Sequence, residues 1–283
     1  MGRRKVLVSG SNGYVGRHVV RQFESCGWEV FKVQRGELQS AQDVRLEDTS
    51  MHSCFDAVVN CARPHWSEHS PDEIASIERT LLTALNAFAK KGATKIHTSG
   101  VWLFGKANPS ELNTFQIKPF DIVAPDEKTI YQARQGLWKI VYCPSLIYGG
   151  ESCQLFRILS ENPGKELKYA SPSHGFNRYV HVEDVAAFYQ TLVESQPDEA
   201  EYFIAEERGY TPEDYAKLLL NSGYIEAAIP VSWEKFEQQH GKDAADIEKL
   251  NIQPVVTTLF RARHSLANYL EDQSLQYATK PTT

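Results

Sequence analysis

The sequence has no excess of positive charge, no paired-cysteine pattern and no long apolar run, and each absence removes a class of function. A formal charge of −6 over 283 residues leaves no electrostatic footprint for nucleic acid, and no basic amphipathic segment stands out for a membrane surface. The five cysteines (Cys26, Cys54, Cys61, Cys143 and Cys153) are an odd number without a C-x-x-C pair. Neither a disulfide framework nor a zinc site is implied, and no His/Cys/Asp/Glu spacing points to another metal. A reducing compartment fits these thiols. The N-terminal "MGRRKVLVSG" has basic residues but an apolar run only a strand long, and Val6 stands where a myristoylation signal needs Ser or Thr. Internal repeats and low-complexity segments are also lacking. The expectation is a cytoplasmic protein, monomer or homodimer, with no targeting or transmembrane segment, whose partners are small molecules.

With 42% apolar and 23% charged residues, the chain can build one large domain, or one domain plus a smaller lobe. Short β-branched runs alternate with helix-period segments: "KVLVS" then "VGRHVVRQFES", "EVFKV", "DAVVN" then "PDEIASIERTLLTALNAFAKK", "KIHTS" and "KIVYC". This predicts an α/β fold, a Rossmann-type doubly wound parallel sheet with helices on both faces. Ser70-Pro71-Asp72-Glu73 reads as a capping box with Pro at the first helical position, and the face Ile74, Ile77, Leu81, Leu85 and Phe88 should cover the sheet. Beyond residue 150 the alternation weakens. The expected division is a dinucleotide-binding core over 1–150 and a smaller substrate lobe over 151–283. Residues 176–195, "RYVHVEDVAAFYQTLVES" within them, return to the core as strand and helix.

Directly after the first strand comes "GSNGYVG". Gly10 permits a tight turn, Gly13 lets backbone approach a pyrophosphate, and Gly16 lets helix pack on strand, so that Asn12, Tyr14 and Val15 open a helix whose amides face the anion. Between a strand and a helix at the start of an α/β chain, this pattern points to dinucleotide binding. The second strand ends in Gln34 and Arg35, where an NAD site usually has an acid. A carboxylate would repel a 2′-phosphate whereas Arg35 can pair with it, which favours NADP(H), with a solvated loop charge as the alternative.

With "GSNGYVG", "DAVVNCA", "HTSGVWLFG", "CPSLIYG" and "RYVHVEDVA" on the page, the chain resembles the extended and atypical short-chain dehydrogenase/reductase superfamily, the NAD-dependent epimerase/dehydratase-like group, almost end to end. The resemblance implies that Asp43 and Val44 line the adenine, that Cys61, Ala62 and Arg63 follow the cofactor, and that Thr98, Pro144, Ser145 and Leu146 lie by the nicotinamide. It also implies that the loop with His65 and Trp66 overlooks the substrate, although a plain surface loop accounts for it equally. Trp102 and Phe104 are candidate pocket walls, with core packing the alternative. His181 and Tyr148 read as structural.

The family's catalytic set does not carry over. Its carbonyl-polarising hydroxyl falls on Gly100, and Ser99 replaces it only if the strand bends there, because adjacent side chains on a strand face opposite ways. Tyr131 is followed four residues later by Gln135 and not by Lys, and lies close before "KIVYC". At the customary place stand Pro119 and Phe120, with Pro125 preventing a continuous helix. Ser99 remains the candidate catalytic residue. Three readings follow: an atypical NADPH-dependent ketoreductase acting on a small aromatic or apolar carbonyl compound, similar to members found in natural-product pathways; a non-redox isomerase, cyclase or lyase; and a catalytically silent NADP-sensing regulator.

Overall fold

The computed structural model describes residues 2–160 and 164–278. The strands are β1 (Lys5–Ser9), β2 (Glu29–Val33), β3 (Asp43–Val44), β4 (Phe55–Asn60), β5 (Ala89–Gly100), β6 (Lys139–Cys143), β7 (Leu146–Tyr148), β8 (Glu166–Ser171), β9 (Asn177–His181), β10 (Glu201–Phe203), β11 (Gly209–Tyr210) and β12 (Ala227–Ser232). The helices are α1 (Tyr14–Ser25), α2 (Pro71–Phe88), α3 (Pro109–Asn113), α4 (Asp126–Gln135), α5 (Gln154–Ser160), α6 (Val182–Ser195), α7 (Pro212–Asn221), α8 (Trp233–His240), α9 (Lys242–Glu248) and α10 (Leu266–Ala278).

Seven strands form the main sheet in the order β3-β2-β1-β4-β5-β6-β10, and every neighbouring pair is parallel. Its strands are apolar on both faces because helices cover both. Val6 and Val8 pack with Val19, Phe23, Val185 and Tyr189 of α1 and α6. Leu7 points the other way, into Leu82, Leu85, Ile130 and Ala133 of α2 and α4. The chain leaves β1 for β2 on one side and returns to β4 on the other. The carboxyl ends of β1 and β4 therefore flank a topological switch point, where open α/β sheets take their ligands.

The second half builds a three-stranded sheet, β11-β9-β7, and a two-stranded one, β12-β8. It also rejoins the main sheet. Helix α6 packs beside α1, and β10 adds the seventh strand next to β6, so the return runs past residue 195 to Phe203. The expected lobe range includes residues 161–163 and 279–283, which lie outside the described ones.

Helix α2 begins with the capping box read from the sequence, Ser70 accepting from the Glu73 amide while Glu73 accepts from the Ser70 amide. Its inward face is rotated from the expected one. Ile74, Glu78, Leu82, Leu85 and Phe88 are buried, whereas Ile77 and Leu81 line a groove. An acid can occupy the inner face because a cation reaches it, as described next.

Candidate functional site

The phosphate turn is built as a backbone cradle. Gly10 has φ +73°, and a Cβ there would lie 2.7 Å from the Ala62 nitrogen. A Cβ on Gly16 would meet the Gly10 oxygen at 2.1 Å, and one on Gly13 the same oxygen at 3.1 Å. Gly13 caps α1 with no side chain bonded to the helix's first amides, and the first turn contains no acid. These donors fit an anion, and the turn has the closeness of approach that a pyrophosphate needs. Around it opens a cavity of about 570 Å³ whose lining includes Gly10, Asn12, Gly13, Gln34, Arg35 and Ala62, with Ile77, Leu81 and Ala84 of α2 forming an apolar wall. Tyr14 turns away from this cavity and donates to the Gly149 carbonyl at 2.6 Å.

At the end of β2, Asn12 donates to Gln34 Oε1 at 3.3 Å, and Gln34 donates to Asp43 Oδ1 at 3.5 Å. Arg35 is exposed at the cavity's edge. Asp43 and Val44 stand differently from expectation. Val44 is packed into the core. The Asp43 carboxylate accepts from the Gln39 and Ser40 amides at 2.7 and 2.9 Å, and although burial opposes ionisation, these bonds hold its pKa below the usual range. Leu46, not Asp43 or Val44, lines the cavity.

Beyond β4 the loop is fixed by a buried pair. Asn60 Oδ1 accepts from the Ala62 amide at 3.1 Å, which leaves the Asn60 amide group to donate to His97 Nδ1 at 3.1 Å. Burial, with Arg63 adding to it, pushes the His97 pKa down to about 3, so the ring is neutral and can accept. Arg63 then bridges two helices, Nη1 to Glu78 at 2.8 Å and Nη2 to Asp126 at 2.7 Å, with its guanidinium 5.4 Å from the Trp102 ring centre. Trp102 donates its indole N–H to the same Asp126 oxygen at 3.2 Å. Burial pushes the Glu78 carboxyl up to about 7, against the pull of Arg63. Sequence reasoning missed Glu78 and Asp126. The signal for Glu78 was present, because an acid four residues after Ile74 and four before Leu82 falls on the helix's apolar stripe.

Through Trp102, which bonds Asp126 and lies over Gly100, this cluster stands beside the end of β5. β5 stays extended through Gly100 (φ −147°, ψ 162°), with Ser99 paired to Tyr142 and Gly100 to Cys143. The bend that the Ser99 role required is missing. Ser99 shares its strand face with His97, opposite Thr98. A Cβ on Gly100 would lie 1.8 Å from Trp102 Cζ3, so the indole fills the side-chain space of that position. Thr98 on the other face accepts from the Tyr189 hydroxyl at 2.7 Å and donates to Cys61 Sγ at 3.6 Å. Burial pushes the Cys61 and Cys143 thiols up to about 12, which keeps both protonated near neutrality.

Phe104 is a core residue, not a pocket wall: it packs edge-on against Tyr142 at 4.8 Å and against Phe203 at 4.9 Å. Helix α4 starts only at Asp126, after Pro125. Phe120 lies against Gly105, where a Cβ would meet its ring at 2.6 Å. Tyr131 is 63% exposed on the outer face of α4. Pro144 and Leu146 are buried and Ser145 is exposed at the mouth of β6. In the loop after β4 His65 accepts from the Ser67 amide at 3.2 Å, and Trp66 is 80% exposed.

Among the described residues, His181, Glu183 and His264 bring possible ligand atoms within 4.8 Å of one another. The two imidazoles, however, stack face to face with centres 3.8 Å apart, and His264 Nδ1 is 3.1 Å from Asp184. Stacked rings direct their in-plane lone pairs side by side and not at a common point, which suits packing and not a metal. Burial, with His264 adding to it, pushes His181 down to about 4. Tyr148, fully buried, donates to Glu206 at 3.1 Å. No helix among the described residues is long and apolar enough to cross a membrane.

A family model described as the NAD dependent epimerase/dehydratase family matches residues 6–205. No curated protein matches the chain. Among solved structures, the human epimerase family protein SDR39U1 (isoform 2) with NADPH shares 17% identity at a TM-score of 0.72, over 96% of this chain and 99% of that one. UDP-N-acetylglucosamine 4-epimerase from Bacillus cereus shares 16% at 0.73, over 97% and 99%. UDP-glucose 4-epimerase from Thermotoga maritima, with UDP-glucose, shares 19% at 0.69, over 98% and 100%. At these identities the likeness is one of fold.

Proposed function

The chain belongs to the NAD dependent epimerase/dehydratase family, whose cofactor is a nicotinamide nucleotide, and from this premise we propose that it is an NADP(H)-dependent ketoreductase acting in the cytoplasm on a small aromatic or apolar carbonyl compound. The division of labour is a dinucleotide core over 1–150 and a substrate lobe drawn from 151–283. The observation that carries the reading is the complete phosphate cradle ending in Gln34 and Arg35 in place of an acid. When bound, the dihydronicotinamide supplies the hydride. The chain's own residues position it: the α1 amides hold the pyrophosphate, Arg35 holds the 2′-phosphate, and Arg63 ties the loop after β4 to α2 and α4. Holding a carbonyl against the nicotinamide lowers the barrier by proximity, and a substrate with its own phenol or enol brings the proton.

Arg35 gives the first test. Titrating both cofactors into wild type and Arg35→Ala should show NADPH bound more tightly than NADH, and the variant should lose roughly ten- to a hundredfold in NADPH affinity, the scale of a charged partner removed from a phosphate. Equal preference in the wild type overturns the NADP(H) assignment.

The reduction itself is read from single-turnover NADPH oxidation with aromatic ketones at saturating cofactor. Tyr131→Phe should leave that rate within a few-fold of wild type, whereas losing a true general acid costs roughly 10²–10⁴-fold. The argument is positional, since Tyr131 faces solvent on a ten-residue helix. A thousand-fold loss with cofactor binding intact would place the active-site helix wrongly.

A second reading, the catalytically silent NADP-sensing regulator, is favoured by the Trp102 indole in the side-chain space of residue 100. Tight NADPH binding with no oxidation by any ketone would decide for it.

A further inference from the structure

On the α1 side of the phosphate turn lies a second cavity. It measures about 370 Å³, and its lining includes Ser11, Asn12, Arg17, Arg21, Glu24 and Lys32. Ser11 and Asn12 line both cavities, so the turn itself is the wall between them.

Strand alternation brings a cation to this groove. On β2, Val30 packs with Val19 and Phe23 of α1, while Phe31 and Val33 pack on the opposite face with Leu82 and Leu85. Lys32 therefore stands on the α1 face, half-buried, with its Nζ 4.0 Å from Glu24. From the facing helix Arg21 pairs with Glu151. Arg17 instead bonds neutral acceptors: Nε donates to the Gly13 carbonyl at 3.3 Å, Nη2 to the Asn12 carbonyl at 2.9 Å and Nη1 to the Ser152 hydroxyl at 3.0 Å. Three cations thus meet two carboxylates, and the groove keeps positive charge. Ser11 is an independent sign of a ligand. It is 6% exposed, and its hydroxyl is enclosed without a hydrogen-bond partner, a costly arrangement that a bound acceptor would complete.

We infer that this groove holds a terminal phosphate group, clamped between Lys32 on the strand and Arg17 on the helix, with the Ser11 hydroxyl donating to a third oxygen. A dianion with three free oxygens matches a guanidinium and an ammonium that approach it from opposite walls. Two sources carry that group. One is the cofactor's own 2′-phosphate, reaching past the Asn12–Gln34 pair, and this source rests on the NADP(H) reading. The other is free phosphate, which does not depend on it. In either case Arg17 links the anion to the turn, since the carbonyls it bonds belong to Asn12 and Gly13.

The test is to titrate inorganic phosphate, 5′-AMP and adenosine 2′,5′-bisphosphate separately into wild type and Lys32→Gln by calorimetry, and to repeat the phosphate titration on protein saturated with each nucleotide. Wild type should bind phosphate in the millimolar range with AMP in place, and Lys32→Gln should weaken it roughly tenfold, the scale of a charged partner removed from a phosphate, with AMP affinity unchanged. If the bisphosphate displaces phosphate and its margin over AMP vanishes in Lys32→Gln, the occupant is the 2′-phosphate. If phosphate binds equally to protein holding the bisphosphate, the occupant is free phosphate. Equal affinity for AMP and the bisphosphate in wild type, with phosphate still lost in Lys32→Gln, would count against the NADP(H) reading and leave this inference standing. Phosphate that AMP blocks and Lys32→Gln leaves in place sits on the α1 amides, and together with an unchanged margin of the bisphosphate over AMP it overturns the inference. Should Lys32→Gln not fold, Ser11→Ala decides, with an expected loss of about fivefold in phosphate affinity.

Discussion

Gly13→Val should abolish saturable NADPH binding in the millimolar range while leaving the circular dichroism spectrum and thermal midpoint close to wild type. Of the three glycines in the turn, this is the one whose substitution separates binding from folding. Gly10 has a left-handed backbone, and Gly16 would drive a Cβ into the Gly10 oxygen at 2.1 Å, so changes there damage the turn itself. Gly13 has ordinary dihedrals (φ −73°, ψ 170°), and its Cβ would meet only the Gly10 oxygen, at 3.1 Å. The backbone tolerates that contact with a small shift. The two methyl groups of valine cannot be placed as easily, because they stand over the α1 amides in the space that a pyrophosphate takes. Calorimetric titration beside circular dichroism makes the measurement. Unchanged affinity would mean that the glycines only shape a turn.

Arg63→Ala should destabilise the protein by about 3 kcal/mol, the lower end of the range for breaking a buried ion pair, because the guanidinium keeps roughly a third of its surface in water while both carboxylates are enclosed. Most of that cost is the stranding of Glu78 and Asp126, so adding Glu78→Gln to Arg63→Ala should recover part of it. The cost also depends on pH. Glu78 in the folded protein titrates at about 7, above its ordinary 4.5. Between those values the folded state binds more protons than the unfolded one, and wild-type stability falls as pH rises from about 4.5 to 7. Removing Arg63 takes away the pull that favours ionised Glu78, so the loss should be smaller at pH 5, where Glu78 is protonated, than at pH 8. Urea midpoints at the two pH values provide the comparison. An equal cost at both would show that Glu78 does not carry the effect.

Much of this protein is legible in its sequence, for local reasons. Strand and helix periods alternate because each layer must bury a face, and "GSNGYVG" needs glycine because backbone there meets backbone. The capping box at Ser70 and the absence of Tyr-x-x-x-Lys are likewise statements about residues close in the chain, as is the place where Pro125 lets α4 begin. What only the tertiary structure decided are meetings between distant segments. Arg63, Glu78, Trp102 and Asp126 lie on four different elements, and no spacing predicts that one guanidinium joins two helices. Whether Ser99 could stand in for a hydroxyl at position 100 depended on a strand bend, and the β6 pairing holds the strand straight through Gly100. Trp102 and Phe104 read alike in sequence, as aromatics two residues apart, yet Phe104 entered the core while the Trp102 indole closed over Gly100. Side-chain chemistry and period set the layers. Which side chain fills a given space is settled by the packing of segments that the chain brings together from far apart, because a pocket is made by neighbours in space and not in sequence.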